Sequence, residues 1–172
     1  MGMMPKGLKQ TSSLIVISEG AATSAPNTFT SEKVDLQLNP LDNEVFVVMG
    51  VDLDVGDPEL IPGTNTISSM SLSTTERTSV GGIGQSNVLA HNRIEVQNDG
   101  VGLAIRGAYA SDSGPSTQLA YLGIIATNDF YINTDGTGNV GNTTGNARLY
   151  GFRARADASI YAALVQSEVL SA

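Results

Sequence analysis

Glu44–Asp57 reads EVFVVMGVDLDVGD. Val47, Met49, Val51, Leu53 and Val55 take every second position, and a strand sends such positions to one face. Phe46 and Val48 make the start of the other face apolar, while Asp52 and Asp54 make its end polar. The pattern predicts a long strand, buried on both faces at its start and wet on one face at its end. The valines and Gly50 both disfavour a helix here. The stretch is expected as the central strand of an antiparallel β-sandwich.

Around it lie 172 residues, enough for one domain with a sizeable core. Hydrophobic residues make up 41%, but only 15% are charged, against about a quarter in ordinary globular chains. Ser, Thr, Asn and 19 Gly take the place of charge, a mix that suits strands joined by turns. It also suits a surface covered by neighbours, since interface cores are depleted of charge. The net charge is -8 and no Lys/Arg cluster exists. Phosphate recognition needs a basic patch, so direct nucleic-acid binding is not expected. The opening MGMMPKGLKQTSS lacks the apolar core of a signal peptide, and no apolar run approaches the roughly 18 residues of a membrane span.

Taken in order, residues 1–12 are expected as a flexible arm and 13–172 as a single domain. Strands are predicted over 13–18, 31–38, 66–74, 87–97, 101–110, 117–126, 130–132 and 147–156, besides the opening one. Asn39-Pro40 stops the 31–38 strand, which is expected to pair with Glu44–Asp57 as a hairpin. Asn98-Asp99-Gly100 is a hairpin turn signal joining 87–97 to 101–110. In that second strand Val101, Leu103, Ile105 and Tyr109 are expected inward and Arg106 outward. The core is expected to hold Val47, Met49, Val51, Leu53, Leu103, Ile105, Leu122 and Ile124. SDSGPS (111–116) is a turn, and NTDGTGNVGNTTGN (133–146), with Val140 its one larger apolar side chain, is expected to lie outside the sandwich. Asp157 can cap a closing helix over 158–170, ASIYAALVQSEVL, with one more strand as the competing reading. Eight to nine antiparallel strands in a chain of this size fit an eight-stranded jelly roll. An immunoglobulin-like sandwich is the alternative, but it usually needs only about 100 residues.

The chemical motifs are few. GTGNVG (136–141) matches GxGxxG, but the NTTGN that follows cannot open the helix a dinucleotide site requires. Asp52, Asp54, Asp57 and Glu59 crowd into DLDVGDPE, with Asp42 and Glu44 at the other end of the strand. Oxygen ligands at that density suit Ca²⁺, and solvated carboxylates at a strand end are the other reading. The order of an EF-hand loop is not met. His91 is the one histidine and there is no cysteine. That removes a His/Cys zinc set, and no GxSxG elbow offers a serine nucleophile. An enzyme is not expected, with a carboxylate-only glycosidase the one enzymatic reading that stays open. Asn142-Thr143-Thr144 is a glycosylation sequon. Arg148, Arg153 and Arg155 form a small basic group that either lies on the surface or pairs with carboxylates of a neighbouring subunit.

The last third carries a resemblance. LAYLGIIATNDFYINTDGTGN (119–139), followed by ARLYGFRARADASIYAALVQSE (147–168), resembles the end of single jelly-roll capsid proteins of icosahedral viruses, in which a glycine-rich loop precedes a long final strand. Many such proteins carry a basic N-terminal arm for the genome, and this chain carries only Lys6 and Lys9 there. In this it is more similar to the vertical single jelly rolls of viruses with an internal membrane. The resemblance implies an all-β fold and a structural role in a self-assembling icosahedral shell. It further implies homo-oligomers, other capsid proteins as neighbours, a viral membrane underneath, and a place in the virion. A carbohydrate- or receptor-binding β-sandwich of a virus spike or fibre is the alternative.

Overall fold

Two antiparallel sheets pack face to face, and an α-helix covers the outer face of one of them. The structure, a computed structural model, describes residues 4–110 and 121–171. The strands are β1 (Leu8–Gln10), β2 (Ile15–Ala22), β3 (Thr30–Asp35), β4 (Glu44–Val55), β5 (Thr66–Ser73), β6 (Val88–Asn98), β7 (Ala104–Ala110), β8 (Gly123–Ile125), β9 (Asp129–Thr137) and β10 (Thr144–Ala156), followed by α1 (Ala158–Leu170). In the first sheet β1 and β2 lie along one side of β10, with β4 on its other side and β8 at the far edge. The second sheet runs β3-β9-β5-β6-β7. The expected all-β sandwich with a short C-terminal helix therefore forms.

Pairing is nested: β2 with β10, β3 with β9, β4 with β8, and β5 with β6. Successive pairs alternate between the two sheets. Eight of the ten described strands make this nested set, and β1 and β7 are additions at its borders. The nesting overturns the hairpin expected between 31–38 and the Glu44 strand. β3 and β4 lie in different sheets, and Leu36 and Leu38 are buried in the link between them. Leu8–Gln10, in the segment expected as a flexible arm, pairs with Ala154–Ala156. The turn expected over 111–116 and the first four residues of the 117–126 strand lie outside the described residues; within its remainder only Gly123–Ile125 form a strand, β8.

β4 is the central strand, as its sequence predicts, but the alternation does not run through it unbroken. Tyr150 pairs with Gly50 and Gly151 with Val48, so Met49 is one residue too many. Such a bulge inverts the facing of everything beyond it. Before Met49, Phe46 and Val48 face the core between the sheets, and Val45 and Val47 face the helix. After it, Val51 and Val55 face the inter-sheet core. The face expected to be continuous from Val47 to Val55 is thus two faces serving two cores. The inter-sheet core adds Met70, Leu72, Ala90, Ile94, Ile125, Phe130, Ile132 and Leu149. In the second core, Phe152, Ala154 and Ala156 meet Ile160, Tyr161, Leu164 and Val165 of α1. Val47 and Val51 are buried as expected, while Met49, Leu53, Leu122 and Ile124 are half-buried.

The segment 133–146 is not an outside loop. β9 extends to Thr137 and β10 begins at Thr144, leaving a connection of only 138–143. Its small polar residues are buried because they hydrogen-bond. Asn133 donates to Ser71 Oγ (3.1 Å) and Ser73 Oγ (2.9 Å) and accepts from Ser31 Oγ (2.8 Å). Asn139 donates through its side chain to the Ile67 carbonyl (2.8 Å) and accepts from the Glu59 amide (3.0 Å). Its own amide and carbonyl engage the side chain of Asn27. Buried amides satisfied this fully hold a loop without apolar side chains.

Gly151, at the bulge, allows β4 and β10 to approach. A Cβ there would run into the carbonyl oxygen of Val47 and the ring of Phe46. The carbonyl belongs to the ladder and cannot swing away. Gly151→Ala is expected to cost about 1–3 kcal/mol through overpacking, read as a lower midpoint in urea unfolding. An unchanged midpoint would contradict the close approach.

Candidate interaction surface

The β6–β7 hairpin presents the largest departure from the sequence pattern. Its turn is built as the residues predict. Asp99 Oδ1 accepts from the amides of Val101 (2.8 Å) and Leu103 (3.0 Å), and Gly100 and Gly102 take positive φ. Those amide hydrogen bonds hold the Asp99 carboxyl below its ordinary pKa. The turn sets the register: Gln97 faces Ile105, Glu95 faces Gly107 and Arg93 faces Tyr109. Since Ile94 and Val96 are the core-facing residues of β6, Ile105 and Tyr109 fall on the outward side with Arg93, Glu95 and Gln97.

This reverses the expected facing of β7. Val101, Leu103, Ile105 and Tyr109 are 89%, 72%, 71% and 54% exposed, so Leu103 and Ile105 do not belong to the core. Arg106 is the one that turns to the core side, where it meets Asp57 Oδ1 at 2.6 Å and 3.2 Å. The physical reason is overhang. β7 is the outermost strand of its sheet, and six of its seven residues are exposed, including those on the core side. Among the described residues its outer edge has no partner strand. The Tyr109 ring lies over Gly107, and its hydroxyl donates to Glu95 Oε1 at 3.3 Å.

The four carboxylates read as a calcium candidate or as solvated groups at a strand end go three separate ways. Asp52 and Asp54 lie on the outward side of β4, lining a groove of about 500 Å³ with Ser18, Glu19, Asn146 and Arg148. Asp52 Oδ2 accepts from the Tyr150 hydroxyl at 2.9 Å. Asp57 pairs with Arg106, and Glu59 accepts from the amides of Val140 (2.5 Å) and Gly141 (3.2 Å). Among the described residues no three of His, Cys, Asp and Glu stand together as metal ligands. Arg153 and Arg155 pair within the chain, with Glu44 at 3.3 Å and Asp42 at 3.1 Å. Arg148 donates to Ser18 Oγ at 3.3 Å. His91 is half-buried in β6, and burial, then the Arg93 charge, holds its pKa below the ordinary value. In the sequon, Asn142 donates to the Thr23 carbonyl at 3.0 Å and Thr143 is buried.

One titratable group escaped the sequence reading. Glu168, on the packed side of α1, is buried, and its carboxylate accepts from the amides of Ala126 (3.0 Å) and Thr127 (2.7 Å) just beyond β8. It ties the helix to the end of that strand. The signal was available: Glu168 stands four residues after Leu164, where the helical repeat calls for an apolar side chain. Asp157 caps the other end, accepting from the Ile160 amide at 3.0 Å, as predicted. Among the described residues no helix is long and apolar enough to cross a membrane.

No family model matches this chain, and no curated protein matches it. Among solved structures, a chain of Desmodium yellow mottle tymovirus overlays with a TM-score of 0.29 at 8% identity, covering 91% of this chain and 87% of that one. An overlay that loose carries no argument about the role of this chain.

Burial pushes the Glu168 carboxyl above its ordinary 4.5; the two amides pull the other way without overcoming it, and Asp129 adds to the rise. A raised pKa in the folded state means that this group's stabilising contribution is full below 4.5 and is lost as pH rises through the folded value. Glu168→Gln cannot titrate. The melting temperature of the wild type minus that of Glu168→Gln should therefore fall as pH rises above 4.5 and through the folded-state value. A difference that stays flat or grows over that range would contradict the burial of an ionisable carboxyl here.

Proposed function

We propose that this chain is a structural, non-enzymatic jelly-roll subunit that assembles with copies of itself into an icosahedral viral shell, the capsid of a virion. The jelly-roll reading is supported by the nested pairing, in which four antiparallel pairs roll into two packed sheets. The observation that carries self-assembly is β7, among the described residues the outermost strand of its sheet, which bares Ile105 and Tyr109, with Val101 and Leu103 beside them. An exposed apolar edge strand is a template for pairing with another chain. Exposed apolar surface of this kind marks an interaction site.

Charge supports the rest of the reading. Four of the arginines, Arg93, Arg106, Arg153 and Arg155, pair with the chain's own carboxylates. With a net charge of -8 and no Lys/Arg cluster, the chain leaves the genome to another component or to a membrane beneath the shell. Other capsid proteins would be its neighbours.

The purified chain should form discrete closed particles visible by negative-stain microscopy, with light scattering that rises with concentration. It should not be retained with DNA or RNA in a filter assay at about 150 mM salt. A chain that stays monomeric at high concentration, or that binds nucleic acid tightly and salt-dependently, would contradict the proposal.

A further inference from the structure

Among the described residues the outer edge of β7 is unpaired, and its sequence fits itself. We infer that β7 pairs with β7 of a second copy, antiparallel and about a two-fold axis through Gly107, joining the two second sheets into one continuous sheet. This rests on the self-assembly reading and deepens it by naming the contact.

Register carries the argument. β7 comprises the seven residues Ala104–Ala110, so its midpoint is Gly107. A two-fold perpendicular to the sheet sets residues of like parity opposite each other. Only the register centred on Gly107 pairs all seven. In it Ile105 faces Tyr109 of the second copy, an aromatic against a β-branched side chain, which is a favourable cross-strand pair. Arg106 faces Ala108 of the second copy, so the only charged residue of the strand meets a small neutral one. A shift that centres the pair on Arg106 sets two guanidiniums opposite each other, which is destabilising. A shift centred on Ile105 draws Leu103, a turn residue, into the ladder and leaves Tyr109 unpaired within it. A shift centred on Ala108 leaves Ile105 outside.

Side-chain space agrees with that register. Gly107 stands opposite itself, and in each copy the Tyr109 ring already lies over it. Two glycines at the axis leave room for two tyrosine rings, each flanked by Ile105 of the other copy. These side chains lie on the outward side of the sheet, away from the sandwich core. The contact is isologous and closes on itself, as a two-fold contact within a symmetric assembly must.

The chain contains no cysteine, so introduced thiols report the register. Opposite residues in an antiparallel pair have Cα atoms about 4.5–5.5 Å apart, within disulfide reach. In the register centred on Gly107, Ala104 faces Ala110 of the second copy, both are exposed, and within one strand they lie about 20 Å apart. The double variant Ala104→Cys with Ala110→Cys should therefore give a covalent dimer under mild oxidation. Ile105→Cys should not, because the two copies of residue 105 lie about 13 Å apart along the strands. Ile105→Glu changes an exposed residue, so it should fold and melt as the wild type does. It should weaken association roughly 100-fold in sedimentation experiments. Cross-linking by Ile105→Cys as readily as by the double variant would overturn the register, and undiminished association of Ile105→Glu would overturn the contact. Particles that form while the double variant stays uncrosslinked would sink this contact and leave the self-assembly reading standing. A wild-type chain that never associates would sink both.

Discussion

The pairing of β10 with β4, and the extra residue that interrupts it, is the constraint on which the other elements depend. β10 holds β1 and β2 along one side and β4 along the other, so the first two strands and the central strand are all registered against it. Ahead of Met49 the even-numbered residues of β4 face the inter-sheet core. Were that phase to continue, Asp52 and Asp54 would point between the sheets and Val51 and Val55 would point out. Burying an unpaired carboxylate costs several kcal/mol. The bulge at Met49 reverses the phase, so the aspartates reach water and the valines reach the core. The same strand can then lie under α1 at its start and stand bare at its end.

Small polar residues do in this protein what apolar ones do in many others. Ser71, Ser73 and Asn133 are buried in the second sheet as a hydrogen-bonded set, and Ser71 Oγ donates at 2.6 Å to the carbonyl of Val80 in the loop that covers them. Asn27, Glu59 and Asn139 close one end of the sandwich in the same way. Part of the low charge content is thus spent inside the fold. The case for association therefore rests on β7, whose apolar side chains have no core to enter, more than on composition.

The extent and centrality of β4, the β6–β7 turn and the closing helix with its Asp157 cap were legible because each is decided by neighbours in sequence. The bulge was not, because Val47 and Val51 are both apolar and the phase change between them leaves no mark in the hydropathy pattern. Nor was the partner of β3, which is fixed by the nested pairing and not by proximity to β4. Leu103 and Ile105 alternate as core residues do, and only the register set by the turn, which places Ile105 opposite Gln97, turns this side of β7 outward. For 133–146 the count of apolar side chains misled, since backbone ladders and amide side chains hold that segment. The DLDVGDPE carboxylates are close in sequence, but the strand ends between Asp54 and Asp57 and sends them to different partners. Glu168 stood on a helical face as an anomaly that the pattern itself displayed.

The central claim is that the sandwich is complete in one chain and that β7 is the part awaiting a partner. Hydrogen–deuterium exchange, compared between dilute and concentrated protein and read residue by residue, tests this most directly. In the dilute chain the amides of β4 and β10 should be strongly protected, and the outward-directed amides of residues 104–110 should exchange fast. On association those edge amides should slow markedly while β4 and β10 stay as they were. Association with unchanged exchange across 104–110 would contradict the account.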